Sequence, residues 1–217
     1  NQMIVDNFNL FKKILNSFKD DEFYFVQILI RGKDGHTEQG VNGSNKNRLI
    51  KFYTIKSADH LTRVEKEIKT ICNAVNGRAY IHPTKRSFEA VGKECLRTTT
   101  ETFLSENNVG LKGAYSTACG KSYIIADKKF VVDLDDENAS QEKIKEVVDY
   151  MTYECEPLNQ NKFCYSVPTA HGIHLITTPF NTSKFSQHFP DIDVHKNNPT
   201  LLYFNCSGAT DNAYLSF

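Results

Sequence analysis

The sequence predicts an α+β fold in a single domain of two successive parts, about residues 1–120 and about 121–217. Two observations support this prediction. β-rich segments alternate with segments of helical periodicity along the whole chain, and the second part has the element order of a split βαβ unit. The chain has 217 residues, of which 40% are hydrophobic, so it is long enough to bury a core without disulfides or metals.

The first part is predicted to alternate helices with strands as an α/β lobe. Apolar spacing and capping residues predict helices over residues 7–18, 58–75 and 87–103. β-rich runs predict strands over residues 23–31, 49–55 and 78–82. Ser57 is the expected N-cap of the second helix, and the polar, glycine-containing segment 32–46 is expected to form a loop.

The second part is predicted to have the order β-α-β-β-α-β of RRM-like domains. Strands are predicted over residues 130–134, 163–167, 173–178 and 201–205. Ser140 is expected to cap a helix that ends near residue 153, and residues 183–188 are expected to form a short helical turn. This unit occurs in many proteins and does not by itself assign a function.

Charge is distributed unevenly although the net charge is zero. Residues 44–97 contain 12 Lys/Arg against 5 Asp/Glu, whereas residues 127–156 contain 4 Lys against 10 Asp/Glu. A basic segment followed by an acidic one favours an anionic polymer at one surface and cations at the other.

Cysteine spacing and hydropathy indicate the cellular context. None of the six cysteines forms a CxxC pair, so we expect free thiols rather than a structural zinc site. No apolar run approaches the roughly 20 residues of a membrane span, and the first residues do not have the pattern of a secretory signal. We therefore expect no membrane partner and a cytoplasmic location.

Asp133 and Asp135 follow an apolar strand with one residue between them. Because strand side chains alternate, both carboxylates are expected on the same face of the sheet. Two carboxylates on one face repel each other unless a cation bridges them, and hard ions such as Mg²⁺ or Mn²⁺ prefer carboxylate oxygens. The pair therefore predicts a site for divalent cations.

Two further motifs follow in the chain. His174 lies in an apolar strand, two residues after Gly172, which would allow a ligand or a backbone to approach closely. Asp191 and Asp193 form a second pair of carboxylates before the last strand, and Asp193 is preferred for a site because it lies closer to that strand.

The order of these motifs resembles that of the archaeo-eukaryotic primase superfamily, the catalytic module of primases and primase-polymerases. That family has a D-x-D/E pair on a strand, a glycine before a strand histidine, and a later aspartate. The resemblance implies a two-lobed fold and template-directed nucleotidyl transfer, with Asp133, Asp135 and Asp193 holding two divalent cations. His174 would join them as a catalytic residue. The residues implied to bind the incoming nucleoside triphosphate are Thr169, His171, Gly172 and His174.

The resemblance also implies partners. Single-stranded DNA would be the template, with a helicase or an accessory replication protein outside this chain, as in phage or mobile-element replication in a bacterial or phage-infected cell. Basic residues of the first part are candidates to grip template or triphosphate oxygens. These candidates are Arg48, Lys51, Arg78, Lys85 and Arg86.

Three alternatives remain open at this stage. A rolling-circle replication endonuclease requires two histidines that flank one hydrophobic residue, whereas His171 and His174 are one residue too far apart. A 2H phosphoesterase requires two H-φ-T motifs, which the chain matches poorly. A non-catalytic RRM-like module that binds single-stranded nucleic acid would tolerate the loss of its acidic residues, which a polymerase would not.

Overall fold

The computed structural model describes residues 3–15, 18–32, 47–105 and 108–206. These residues form an α+β structure with two antiparallel sheets. The strands are β1 Met3–Asp6, β2 Glu22–Ile30, β3 Arg48–Ile55, β4 Arg78–Ile81, β5 Arg86–Ser87, β6 Phe130–Asp135, β7 Phe163–Thr169, β8 Gly172–Thr177, β9 Asp193–His195 and β10 Thr200–Cys206. The helices are α1 Phe8–Ile14, α2 Ala58–Val75, α3 Phe88–Leu104, α4 Ala114–Lys121, α5 Gln141–Tyr153 and α6 Thr182–His188.

The larger sheet has the strand order β1-β10-β4-β2-β3, and the short β5 pairs with β2. Helices α1 and α2 pack on one face of this sheet and α3 and α4 on the other. Helix α2 begins where predicted, because the Ser57 side chain accepts a hydrogen bond from the His60 amide. It buries Leu61, Ile68 and Cys72, a helical stripe, against the sheet.

The smaller sheet has the order β7-β8-β6-β9, with every neighbouring pair antiparallel. With α5 and α6 as its two helices, this is the topology of a split βαβ unit. The Ser140 side chain caps α5 as predicted, by accepting a hydrogen bond from the Lys143 amide. Val147 of α5 and Phe185 of α6 are fully buried against one face of the sheet. The opposite face carries neither of these two helices, and we call it the helix-free face.

The fourth strand of this unit corrects the sequence interpretation. Residues 201–205 were expected to complete the RRM-like unit, but β10 lies in the larger sheet between β1 and β4. The three-residue strand β9 takes the fourth position instead, beside β6. The apolar run of β10 suits a strand in the interior of a sheet, whereas an edge strand can be short and polar.

Several smaller differences concern the first part. Helix α1 ends at Ile14, earlier than predicted, and β1 and α4 were not predicted. The expected loop over residues 32–46 lies outside the described residues except for Gly32. The six cysteines are free, as expected. None of the helices in the described ranges combines the length and apolar character that crossing a membrane requires.

The two sheets share a core. Val131 and Ile176 of the smaller sheet belong to the same buried cluster as Phe11 of α1 and Tyr24 of β2. The buried side chain of Asn7 donates one hydrogen bond to a backbone carbonyl of β7 and another to a carbonyl of β10, each 2.9 Å long. The helix-free face of the smaller sheet is therefore covered at one end and open at the other.

Candidate functional site

The open end of the helix-free face carries the predicted acidic residues. Alternation along β6 directs Leu134 to the helices, and Asp133 and Asp135 to the opposite face. Across the sheet, Asp133 is in register with His174 of β8 on one side and with Asp193 of β9 on the other. Residues directly opposite each other share a face, so these side chains form one row across three strands.

His174 has a hydrogen-bonding partner at each ring nitrogen. Its Nε2 lies 3.3 Å from Asp133 Oδ1, and its Nδ1 lies 2.8 Å from Thr200 Oγ1. The hydrogen bond from His174 lowers the pKa of Asp133 below its ordinary value. The charges of His174 and His195 act in the same direction, and burial opposes them. Asp133 is therefore an ionised acceptor at neutral pH.

Asp135 and Asp193 are exposed, and within the described part of the chain their carboxylates form no hydrogen bond or ion pair. No group of three or more His, Cys, Asp or Glu side chains among the described residues is already close enough to hold a metal ion. The chemistry of the donor set nevertheless fits a hard divalent cation, because oxygen ligands from β6 and β9 share one face and form no ion pair with a lysine or arginine in the described ranges.

Gly172 meets a backbone requirement. Its φ is +144°, and an added Cβ would lie 2.0 Å from the carbonyl oxygen of Leu134. Gly172 is paired with Asp135, so its lack of a side chain lets β8 approach the acidic end of β6. Of the two alternatives that the sequence left open for this glycine, the structure shows close approach of a backbone.

The other predicted nucleotide-binding residues lie at the rim of the same face. Thr169 ends β7 opposite Gly172, and the exposed His171 lies in the turn that joins β7 to β8. The carbonyl of His171 accepts a hydrogen bond of 3.0 Å from the amide of Asp136, which ties this turn to the end of β6. Thr169, His171 and the acidic row are thus held at one edge of the sheet.

The predicted basic residues are not gathered at this face. Arg48 and Lys51 are exposed on β3, an edge strand of the larger sheet, and Lys51 forms an ion pair with Glu67 of α2. Arg78 is buried with its guanidinium carbon 4.1 Å from the centre of the Phe204 ring. None of these three extends the row of site residues.

Lys85 and Arg86 form buried polar contacts. Lys85 Nζ lies 2.6 Å from a carboxylate oxygen of Glu22, and both side chains are nearly buried. Arg86 is fully buried and donates hydrogen bonds to three backbone carbonyls, to Asn197 Oδ1 at 3.2 Å and to His82 Nδ1 at 3.1 Å. Its guanidinium therefore has no surface to offer a phosphate in this structure.

Two residues of the site were missed by the sequence analysis. His195 follows Asp193 by two positions on β9, so the alternation of strand side chains could have identified it. Thr200 belongs to β10, whose place in the larger sheet is a property of the tertiary fold. No local pattern indicates that it touches His174.

No family model, curated protein or solved structure matches this chain. A function must therefore be assigned from the row of residues on the helix-free face and from the chemistry that such a row can support.

Proposed function

We propose that the chain is a metal-dependent nucleotidyltransferase of the primase-polymerase type that makes or extends primers on single-stranded DNA. The observation that carries this proposal is the row of Asp133, Asp193 and His174 across three strands, with Asp135 on the same face. Three carboxylates from two neighbouring strands, none of which forms an ion pair with a lysine or arginine of the described residues, match the needs of a site that binds divalent cations with a triphosphate.

Asp133, Asp135 and Asp193 would hold two Mg²⁺ or Mn²⁺ ions, which when bound neutralise the triphosphate and activate the attacking 3′-hydroxyl. The chain supplies the frame for this chemistry. β6 and β9 present the carboxylates from paired strands, and strands hold side chains more rigidly than loops do.

His174 faces the same space as the carboxylates. Its Nε2 is directed at Asp133, and its side chain is 16% exposed, which leaves an edge of the ring for a phosphate or sugar oxygen of the nucleotide. Thr169 and His171 lie at the rim, where a hydroxyl and an imidazole can donate to the triphosphate. Gly172 contributes by allowing the close pairing of β8 with β6.

The rolling-circle alternative receives no support from this arrangement. His171 lies in the turn and His174 on the strand, so the two imidazoles are not placed as a pair on one strand face. The alternative of a non-catalytic module for single-stranded nucleic acid is disfavoured by charge. The helix-free face ends in carboxylates, which repel a phosphate backbone when no cation is present.

The test is primer synthesis and extension on single-stranded DNA, with labelled ribonucleotides and deoxyribonucleotides and either Mg²⁺ or Mn²⁺. We expect metal-dependent product from the wild type and none from the double variant Asp133→Asn/Asp135→Asn. The matched control is Asp136→Asn, an exposed carboxylate next to the pair, which should retain activity. Full activity in the double variant would refute the site. Binding of single-stranded DNA without any product would favour the non-catalytic module.

A further inference from the structure

Thr200 connects the larger sheet to the row of site residues. It is the first residue of β10, it pairs with Ile81 of β4, and its side chain is fully buried. Its Oγ1 lies 2.8 Å from Nδ1 of His174, which belongs to the smaller sheet. The orientation of the His174 ring is thus set by a group outside the sheet that carries it.

We propose that Thr200 is a positioning residue, which holds the His174 ring in the orientation that directs Nε2 at Asp133 and at the nucleotide. Its effect on nucleotide transfer rests on the proposed function, whereas the hydrogen-bond assignment does not. An ionised carboxylate only accepts hydrogen bonds, so Nε2 must carry a proton where it faces Asp133. In a neutral ring Nδ1 is then an acceptor, and the Thr200 hydroxyl donates to it.

Burial makes this hydroxyl hard to replace. Thr200 has no exposed surface, so its hydroxyl is held by the packing around it when it contacts Nδ1. A threonine is also restricted at χ1, which keeps its Oγ1 at one place relative to the backbone of β10. An unsatisfied ring nitrogen in this position favours rotation of the ring away from Asp133, because the alternative tautomer would turn an unprotonated Nε2 towards an ionised carboxylate.

The segment that joins β9 to β10 is held as well. Asn197 donates a hydrogen bond of 3.0 Å to the carbonyl of Gly120 and accepts one of 3.2 Å from the buried Arg86. These bonds fix the connection between Asp193 and Thr200. The larger sheet and its helices thereby position two members of the site, one through β9 and one through β10.

The primary test is ¹⁵N NMR of the histidine side chains, with the His174→Gln variant used to assign the signal of His174 among the seven histidines. At a pH at which the His174 ring is neutral, we expect the wild type to have the Nε2–H tautomer, with an Nδ1 signal typical of a nitrogen that accepts a hydrogen bond. Thr200→Val removes the hydroxyl while keeping the shape, and it should shift the Nδ1 signal to that of a nitrogen without a hydrogen-bond donor. Thr200→Ser keeps the hydroxyl and should retain the wild-type signal.

Thr177→Val is the matched control. Thr177 is equally buried, lies on the same strand as His174, and its hydroxyl has no hydrogen-bond partner in the described residues. This substitution should leave the His174 signal unchanged. In the priming assay, Thr200→Val should raise the nucleotide KM about tenfold, the equivalent of one hydrogen bond, with a smaller effect on kcat. Thr200→Ser should restore the KM.

The outcomes separate this inference from the proposed function. An Nδ1–H tautomer in the wild type, or an unchanged His174 signal and KM in a folded Thr200→Val, would overturn the role of Thr200. If Thr200→Val does not fold, the wild type still tests the role of Thr200, because an Nδ1 signal without the shift of a hydrogen-bonded nitrogen would overturn it. If the Nδ1 signal depends on Thr200 but no nucleotide is incorporated under any condition, the hydrogen-bond assignment stands and the polymerase function is refuted.

Discussion

Asp133 and Asp193 face each other across β6 and β9. Replacing Asp193 with asparagine should therefore raise stability while it lowers activity. Like charges directly opposite in an antiparallel pair destabilise it by about 0.2–1 kcal/mol. Asp193 forms no hydrogen bond or ion pair within the described residues, so Asp193→Asn relieves the repulsion without breaking a contact. Without divalent metal we expect it to be more stable by about 0.5 kcal/mol, or about 1–2 °C in Tm for a chain of 217 residues.

With divalent metal bound, we expect the wild type to be more stable than Asp193→Asn. A ligand at ten times its Kd stabilises the folded state by about 1.4 kcal/mol, which corresponds to about 3–6 °C here. We expect Mn²⁺ to raise the Tm of the wild type by this amount and that of Asp193→Asn by clearly less. The priming activity of Asp193→Asn should be at least about a hundredfold lower than that of the wild type. The measurements are thermal unfolding with EDTA or with Mn²⁺ and the priming assay. Asp191→Asn, in the exposed turn before β9, should match the wild type in both.

Three results would refute this reasoning. A lower Tm for Asp193→Asn in EDTA would mean that the two carboxylates do not repel each other, so the register or the side-chain placement is wrong. An equal gain from Mn²⁺ in the wild type and the variant would exclude Asp193 as a metal ligand. Loss of activity in Asp191→Asn with full activity in Asp193→Asn would move the third acidic role to Asp191.

Three further predictions concern the frame of the site. Gly172→Ala should lower the free energy of unfolding in urea by at least about 3 kcal/mol, because the positive φ of Gly172 and the clash with β6 both oppose a side chain. Its control, Gly92→Ala in the middle of α3, meets no neighbouring atom and should be neutral or stabilising by up to about 1 kcal/mol. Arg86→Met should cost about 3–5 kcal/mol in the same assay, because it removes a donor that contacts five acceptors, three of them in buried bonds and two in partly buried ones. Arg97→Met on the surface should change stability by less than about 0.5 kcal/mol. Burial and the charge of Arg86 hold the pKa of His82 well below its ordinary value. Below about pH 6.5 the unfolded chain therefore binds a proton at His82 that the folded chain does not. The free energy of unfolding should then decrease by up to about 1.4 kcal/mol per pH unit as the pH falls below that value, and this loss should be absent above it. Urea unfolding between about pH 7.5 and about pH 5.5 checks this, and a His82→Gln variant with an unchanged slope would contradict it.

Local patterns were sufficient for much of the fold and for part of the site. Helix α2 has the predicted bounds because a serine cap, an apolar stripe and the end at Asn76 in a left-handed conformation all agree. Alternation along a strand is enough to predict that Asp133 and Asp135 share one face. These features depend on residues close together in the chain, which is why the sequence alone predicts them.

The remaining features depend on tertiary packing. β9 has three residues and no β-rich run, and only its pairing with β6 makes it a strand. The apolar run of β10 indicated a strand but not the sheet that would receive it. Arg86 is indistinguishable in sequence from a surface arginine, yet it is buried because the carbonyls near the end of α4 and the side chain of Asn197 converge on it.

His174 lies at the boundary between the two halves of the helix-free face. On one side of it Val131 and Ile176 pack into the shared core, and on the other side the carboxylates are open to solvent. One ring nitrogen is therefore bonded to a buried hydroxyl and the other to an ionised group, so the ring connects the packing of the two sheets to the chemistry of the row. Because this coupling passes through one hydrogen bond of the larger sheet, the split βαβ unit alone lacks the group that orients its own histidine.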